Sequence, residues 1–221
     1  MKLNISLIGI AVLLSSILSS TSASKNGPGF NPSQAEENKL VYADFEKVEN
    51  GRAVSNGGGL IQIYEAHQST PVTFKGLPNA SPGAPELVRL KDSETNHLAA
   101  FSYTLTGPNQ WANVTLEIQG RPTSNGQTGA DDVSTYKNLS MQLYATGIES
   151  VRVEAITKGH GITVEAGPQM AIRLKPGLNT YLVPLKSLAQ PSWTQDRVDT
   201  KEVLRKLTAI SISAFCNECT P

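Results

Sequence analysis

From Leu40 onward the chain is a succession of short apolar or alternating segments cut by turn residues. The segments are 40–46, 60–66, 72–74, 86–90, 98–105, 114–119, 139–145, 151–156, 170–174, 180–183 and 209–215. Between them lie pieces such as Asn56-Gly57-Gly58-Gly59 and Asn79-Ala80-Ser81-Pro82-Gly83, whose residues favour tight turns. Runs this short suit strands rather than helices, and regular punctuation of this kind predicts an all-β sandwich or barrel. One segment reads as helical. Asp199 can cap a first turn, Glu202 follows three residues later, and Val203, Leu204 and Leu207 form one apolar face. The expected architecture is therefore all-β, a jelly-roll β-sandwich of two antiparallel sheets with one short helix.

The N-terminus differs from the rest. Met1-Lys2 is followed by an apolar run over 5–18 and by small residues ending at Ala23. A positive start, a short apolar stretch and a small-residue exit predict a signal peptide over 1–23, hence a secreted or periplasmic protein. The stretch is shorter than the roughly 20 residues a membrane span needs. Nothing later in the sequence resembles a span. Residues 24–39, rich in Ser, Asn, Gly, Pro and Gln, read as a flexible linker. Residues 40–221 then form one domain. Cys216 and Cys219 are the only cysteines. In an oxidising compartment a local disulfide is the plain expectation, with free thiols and a redox pair as alternatives.

With 19 basic and 19 acidic residues the chain carries no net formal charge, which argues against a nucleic-acid partner. Catalytic patterns are scarce. His67, His97 and His160 lie far apart, no nucleophile elbow is present, and Asp131-Asp132 are adjacent rather than spaced for glycoside hydrolysis. The expectation is a non-enzymatic protein.

Alternation after position 130 sorts side chains by face. Leu139, Met141, Leu143 and Ala145 share one side of their segment, opposite Gln142 and Tyr144. Val151, Val153 and Ala155 oppose Arg152 and Glu154, and Arg173 is the polar tooth of its segment. A sheet surface bearing Gln142, Tyr144, Arg152, Glu154 and Arg173, with Tyr181 added, suits an oligo- or polysaccharide. Aromatic rings stack on the CH faces of sugars, and paired polar groups match hydroxyls that both donate and accept. The alternative is an ordinary solvated face with cross-strand ion pairs. Asp44 and Glu46 fall on one side of the first segment, where they suit calcium or simply an edge strand with charges. Asn79, Asn113 and Asn138 begin N-x-Ser/Thr sequons.

Several pieces resemble galactose-binding-like jelly rolls. Tyr42-Ala43-Asp44-Phe45-Glu46 looks like their first strand, and Asp132-Val133-Ser134-Thr135-Tyr136-Lys137-Asn138-Leu139-Ser140 like their entry into a core strand. The piece from Asn179 to Leu185, continuing through Ser192-Trp193, and the run of Leu204 with Leu207 to Ile212 resemble their late strands. Together these are similar to carbohydrate-binding modules of family eleven and to the complex I intermediate-associated protein domain. The resemblance implies a ligand on the concave face of one sheet and a structural calcium near the first strand. It also implies a closing strand beside the first one, which the sequence through Pro221 does not supply. A structural or protein-interaction jelly roll, joined to other domains or surface proteins, is the alternative to a sugar binder.

Overall fold

The computed structural model describes residues 4–15, 39–66, 73–74, 86–89, 97–105, 110–119, 129–146 and 148–216. In chain order the strands are β1 (Asn4–Ser15), β2 (Lys39–Ala43), β3 (Val48–Glu49), β4 (Arg52–Ala53), β5 (Ile61–Ala66), β6 (Thr73–Phe74), β7 (Glu86–Arg89), β8 (His97–Thr104), β9 (Gln110–Glu117), β10 (Asn138–Thr146), β11 (Ser150–Ile156), β12 (Gln169–Arg173), β13 (Gly177–Pro184) and β14 (Ala209–Cys216). A 3-10 turn over Leu185–Ser187 and the helix α1 (Thr200–Arg205) lie between β13 and β14.

Two antiparallel sheets form the sandwich. The first runs β13-β10-β1-β8-β6, with β2 also on β1 and β7 also on β8. The second runs β12-β11-β14-β9-β5, and β3 pairs with β4 as a small hairpin. The chain passes repeatedly from one sheet to the other, as a jelly roll requires. Period two then builds the core. Leu139, Met141, Leu143 and Ala145 of β10 and Val183 of β13 meet Val151 and Val153 of β11, Ile210 and Ile212 of β14, Val114 and Leu116 of β9, and Ile61 and Ile63 of β5 in one buried cluster.

The helix starts where its cap predicts. Asp199 is extended, its carboxylate accepts from the Lys201 backbone N–H, and Val203 and Leu204 are buried. Thr157 fastens the start of the following loop to the helix, donating to the carbonyls of Val203 (3.2 Å) and Lys206 (2.9 Å). Tyr42 is buried and donates to Asp131 Oδ2 at 3.0 Å, tying β2 to the segment that leads into β10. Burial and the Asp131 carboxylate together push the Tyr42 phenol well above its ordinary range.

The N-terminal segment that reads as a leader is built into the first sheet. Asn4–Ser15, most of the apolar part of the expected leader, is β1, an internal strand of the first sheet. An uncharged run rich in Ile, Leu and Val meets the demands of a leader and of a central strand alike. It also pairs with β2, the position where the family resemblance places a closing strand. The expected cleavage region near Ala23, the linker up to residue 38, and Cys219 lie outside the described residues, and Cys216 is described only as the last residue of β14.

Candidate functional site

The expected ligand residues do not share one surface. Gln142 and Tyr144 point away from the core on β10, in the first sheet, whereas Arg152, Glu154 and Arg173 point away from it on β11 and β12, in the second. They therefore lie on opposite outer faces of the sandwich. Tyr181 pairs with Met141 in register, so it belongs to the inner side of β13. It packs against the core, and its hydroxyl accepts from the Lys175 backbone N–H at 2.7 Å. Alternation separates inside from outside but does not say to which layer a strand belongs.

The outer face of the second sheet is the richer of the two. Cross-strand register places Gln169, Ala171 and Arg173 of β12 beside Glu154, Arg152 and Ser150 of β11. The same row continues to Ser213 and Ser211 on β14, to Asn113 and Thr115 on β9, and to Tyr64 and Gln62 on β5. Phe215 pairs with Trp111 one step along. Ser211, Ser213, Thr115 and Gln62 are buried although they lie opposite the core. The result is a floor of small hydroxyl side chains between Arg152 and Glu154 on one side and Trp111, Asn113 and Tyr64 on the other.

Several polar groups on this face are already positioned. The Arg152 guanidinium lies 3.7 Å from the centroid of the Phe215 ring, a cation–π contact across two strands. Glu117 accepts from Leu60 N and from Gln62 Nε2, each at 3.3 Å. Glu154 Oε1 accepts from the Gly167 backbone N–H at 2.6 Å. Two buried atoms have no partner among the described residues: Gln169 Oε1, in register beside Glu154, and Arg52 Nη2, whose charge acts on Tyr64 at the far edge. One is an acceptor and the other a donor. Burial also raises the Tyr64 phenol, helped by Glu117.

Burial raises the Glu154 carboxyl above its ordinary value, against the opposing pull of the Gly167 amide and Arg152. Between the ordinary carboxylate value and the higher folded one, the folded state holds a proton on Glu154 that the unfolded chain has released. Stability from this group is complete below the ordinary carboxylate range and falls as pH rises through the higher folded value. Glu154→Gln keeps an acceptor for Gly167 and removes the charge. Its expected effect is a higher melting temperature than the parent near neutral pH and a flatter profile from pH 4 upward, read by thermal denaturation across that range. A parent that is the more stable of the two at pH 7 would contradict this.

Asp44 and Glu46 lie beyond the end of β2 rather than on it, because the chain turns at Phe45, whose φ is 65°. Both carboxylates are engaged. Asp44 accepts from Glu46 N and from Asn56 Nδ2, each at 3.1 Å. Glu46 accepts from His97 N at 2.6 Å and pairs with His97 Nδ1 at 2.8 Å, which holds its carboxyl below the usual range. Among the described residues no group of three or more His, Cys, Asp or Glu side chains is placed to hold a metal ion.

Sequence reasoning missed Trp111, Phe215, Tyr64, Gln62, Asn113 and Glu117. The signal was available in part, since 60–66 and 209–215 read as strands and their period two could have been carried through. Trp111 was hidden because β9 begins at Gln110, ahead of the apolar run from Val114.

The fold and this face define an all-β sandwich with a hydroxyl-floored, aromatic-flanked outer sheet surface. The chain matches no protein-family model, no curated protein and no solved structure. No described helix is long and apolar enough to cross a membrane.

Proposed function

We propose that the chain is an exported, non-catalytic, carbohydrate-binding-module-like protein that takes an oligo- or polysaccharide on the outer face of the second sheet. The observation that supports this reading is the meeting of Trp111, Phe215 and Tyr64 with Arg152, Glu154, Asn113 and Gln62 around the buried Ser211–Ser213–Thr115 floor. Aromatic rings offer stacking surfaces for sugar CH faces, and the amide, guanidinium and carboxylate groups offer paired donors and acceptors. The positively charged, apolar start of the chain supports export.

The experiment is affinity electrophoresis of the full chain in gels containing soluble polysaccharides, supported by a glycan array. At least one polysaccharide is expected to retard the parent. Trp111→Ala is expected to weaken that retardation about tenfold, the equivalent of about 1.4 kcal/mol. Tyr144→Ala, on the opposite outer face, is expected to leave it unchanged. Folded protein that no polysaccharide retards would overturn the proposal.

A second reading, a structural or protein-interaction jelly roll, is favoured by a different observation. Leu178 and Leu182 are exposed on the outer side of the edge strand β13, in register with Tyr144 and Ser140. Together with the closed Arg152–Phe215 stack, they suit a protein surface better than a sugar. Loss of retardation with retained fold would favour this reading.

A further inference from the structure

In the first sheet β1 is the only link between two groups of strands among the described residues. On one side it pairs with β10, from Ser6↔Thr146 to Leu13↔Ser140. On the other side it pairs with β8 from Asn4↔Thr104 to Ile10↔Ala99, and then with β2 from Val12↔Ala43 to Ser15↔Lys39. No described pairing joins β10 and β13 to β8, β2, β6 or β7 without it. The segment that forms this link is the one whose sequence reads as a removable leader.

We propose that in the exported chain the channel between β10 and β8/β2 is a strand-acceptor site, filled by an extended, uncharged, aliphatic segment donated by another polypeptide. This rests on the export part of the reading above, not on its sugar part. Once the leader is removed, both walls present rows of unpaired backbone N–H and C=O groups, a template for strand addition. Strands in a sheet lie about 4.8 Å apart, so the walls are about 10 Å apart and admit one strand and no more. The walls also expose core. Met141, Leu143, Ala145, Ala43 and Ala99 sit at register positions of β1 and are buried in the filled sheet. Water in the channel would hydrate that apolar surface at a large cost.

The channel also states what fits it. Its occupant runs antiparallel to both walls and carries no charge from Asn4 to Ser15. Both walls record an extra residue in β1 at the same place. Leu7 to Ile10 spans three steps against two on β10, from Ala145 to Leu143. Ile8 to Ile10 spans two steps against one on β8, from Ala100 to Ala99. That bulge contains Gly9, the residue type a bulge accommodates most easily. A donated strand should therefore carry a small residue at that point, flanked by aliphatic ones.

The test begins with the exported product of the full chain, whose N-terminus is read by intact mass. It is then titrated with a synthetic peptide of residues 4–15. The expected result is an N-terminus near Ser24, 1:1 uptake of the peptide, and a melting temperature raised by about 5–10 °C at a hundredfold excess over Kd. The same peptide with Val12→Asp is expected to bind at least tenfold more weakly, and with Gly9→Val to lose affinity through the bulge. An exported product still beginning at Met1 would overturn the proposal, because the channel is then permanently filled. So would a trimmed product that is cooperatively folded and takes up no peptide, or one that closes the channel by self-association alone. The candidate sugar face is the outer side of β5, β9, β11, β12 and β14, none of which pairs with β1, so polysaccharide retardation and peptide uptake are read at different surfaces and are scored separately.

Discussion

Gly167→Ala is expected to destabilise the domain by about 2–4 kcal/mol, one of the larger effects a single added methyl can have. The backbone at Gly167 lies against β11 so closely that a Cβ would fall on the Ala155 carbonyl oxygen and within 3.3 Å of Glu154 Oε1. Neither neighbour can step aside cheaply. Ala155 is held by the Pro168 carbonyl at 2.9 Å and pairs with Ile210 in β14, while Glu154 is held by the Gly167 N–H itself. Relief requires the loop to lift away from β11, which strips Glu154 of its amide donor. The measurement is urea unfolding, where the midpoint should fall with an unchanged slope. Gly161 provides the comparison. Its φ is 75° and a Cβ there meets nothing within 4 Å, so Gly161→Ala should cost only about 1–2 kcal/mol, the penalty for a side chain in left-handed backbone. Equal costs at the two glycines would mean that the close approach to β11 is not what Gly167 is there for.

Phe45→Ala is expected to cost about 3–5 kcal/mol, because the ring is fully buried in the central cluster and its removal leaves a cavity. The informative variant is Phe45→Gly. At an ordinary position glycine is worse than alanine by about 0.5–1 kcal/mol. Here φ is 65°, a region in which a bulky side chain is an outlier and glycine is unstrained. Phe45→Gly should therefore be no less stable than Phe45→Ala. The same turn lets Asp44 receive the Glu46 N–H, so burial of the ring and the orientation of both carboxylates are set together. If glycine proves worse than alanine by the ordinary margin, the backbone at this position holds no strain worth relieving.

Much of the fold was legible because strands announce themselves by period two and turns by their residues. The run 139–145 became β10 with its apolar teeth buried, 151–156 became β11, and Asp199 capped α1. The candidate site was legible only by halves. Arg152 and Glu154 were rightly placed away from the core, yet grouping them with Tyr144 required knowing which layer each strand joins. That depends on pairing partners distant in sequence, such as Glu154 with Ser211, and alternation within a segment carries no such information. The positive φ at Phe45 was likewise invisible, since left-handed backbone is unusual for a bulky side chain and no glycine or asparagine marks the turn. The N-terminal segment was ambiguous for a different reason: leaders and central strands draw on the same aliphatic residues.

The order of strands in the second sheet has a consequence for biosynthesis. β14 lies between β11 and β9, so the last of the described strands in chain order supplies the middle of that sheet. Ser211, Ser213 and Phe215 arrive with it. While residues 209–216 are still inside the ribosomal tunnel, Arg152 has no ring to rest on, and Trp111 and Glu154 have nothing between them. Such a domain gains little from emerging gradually. Its two earlier strand pairs, β11 with β12 and β9 with β5, stay unjoined until β14 has emerged, and wiring of this long-range kind belongs to slow folders.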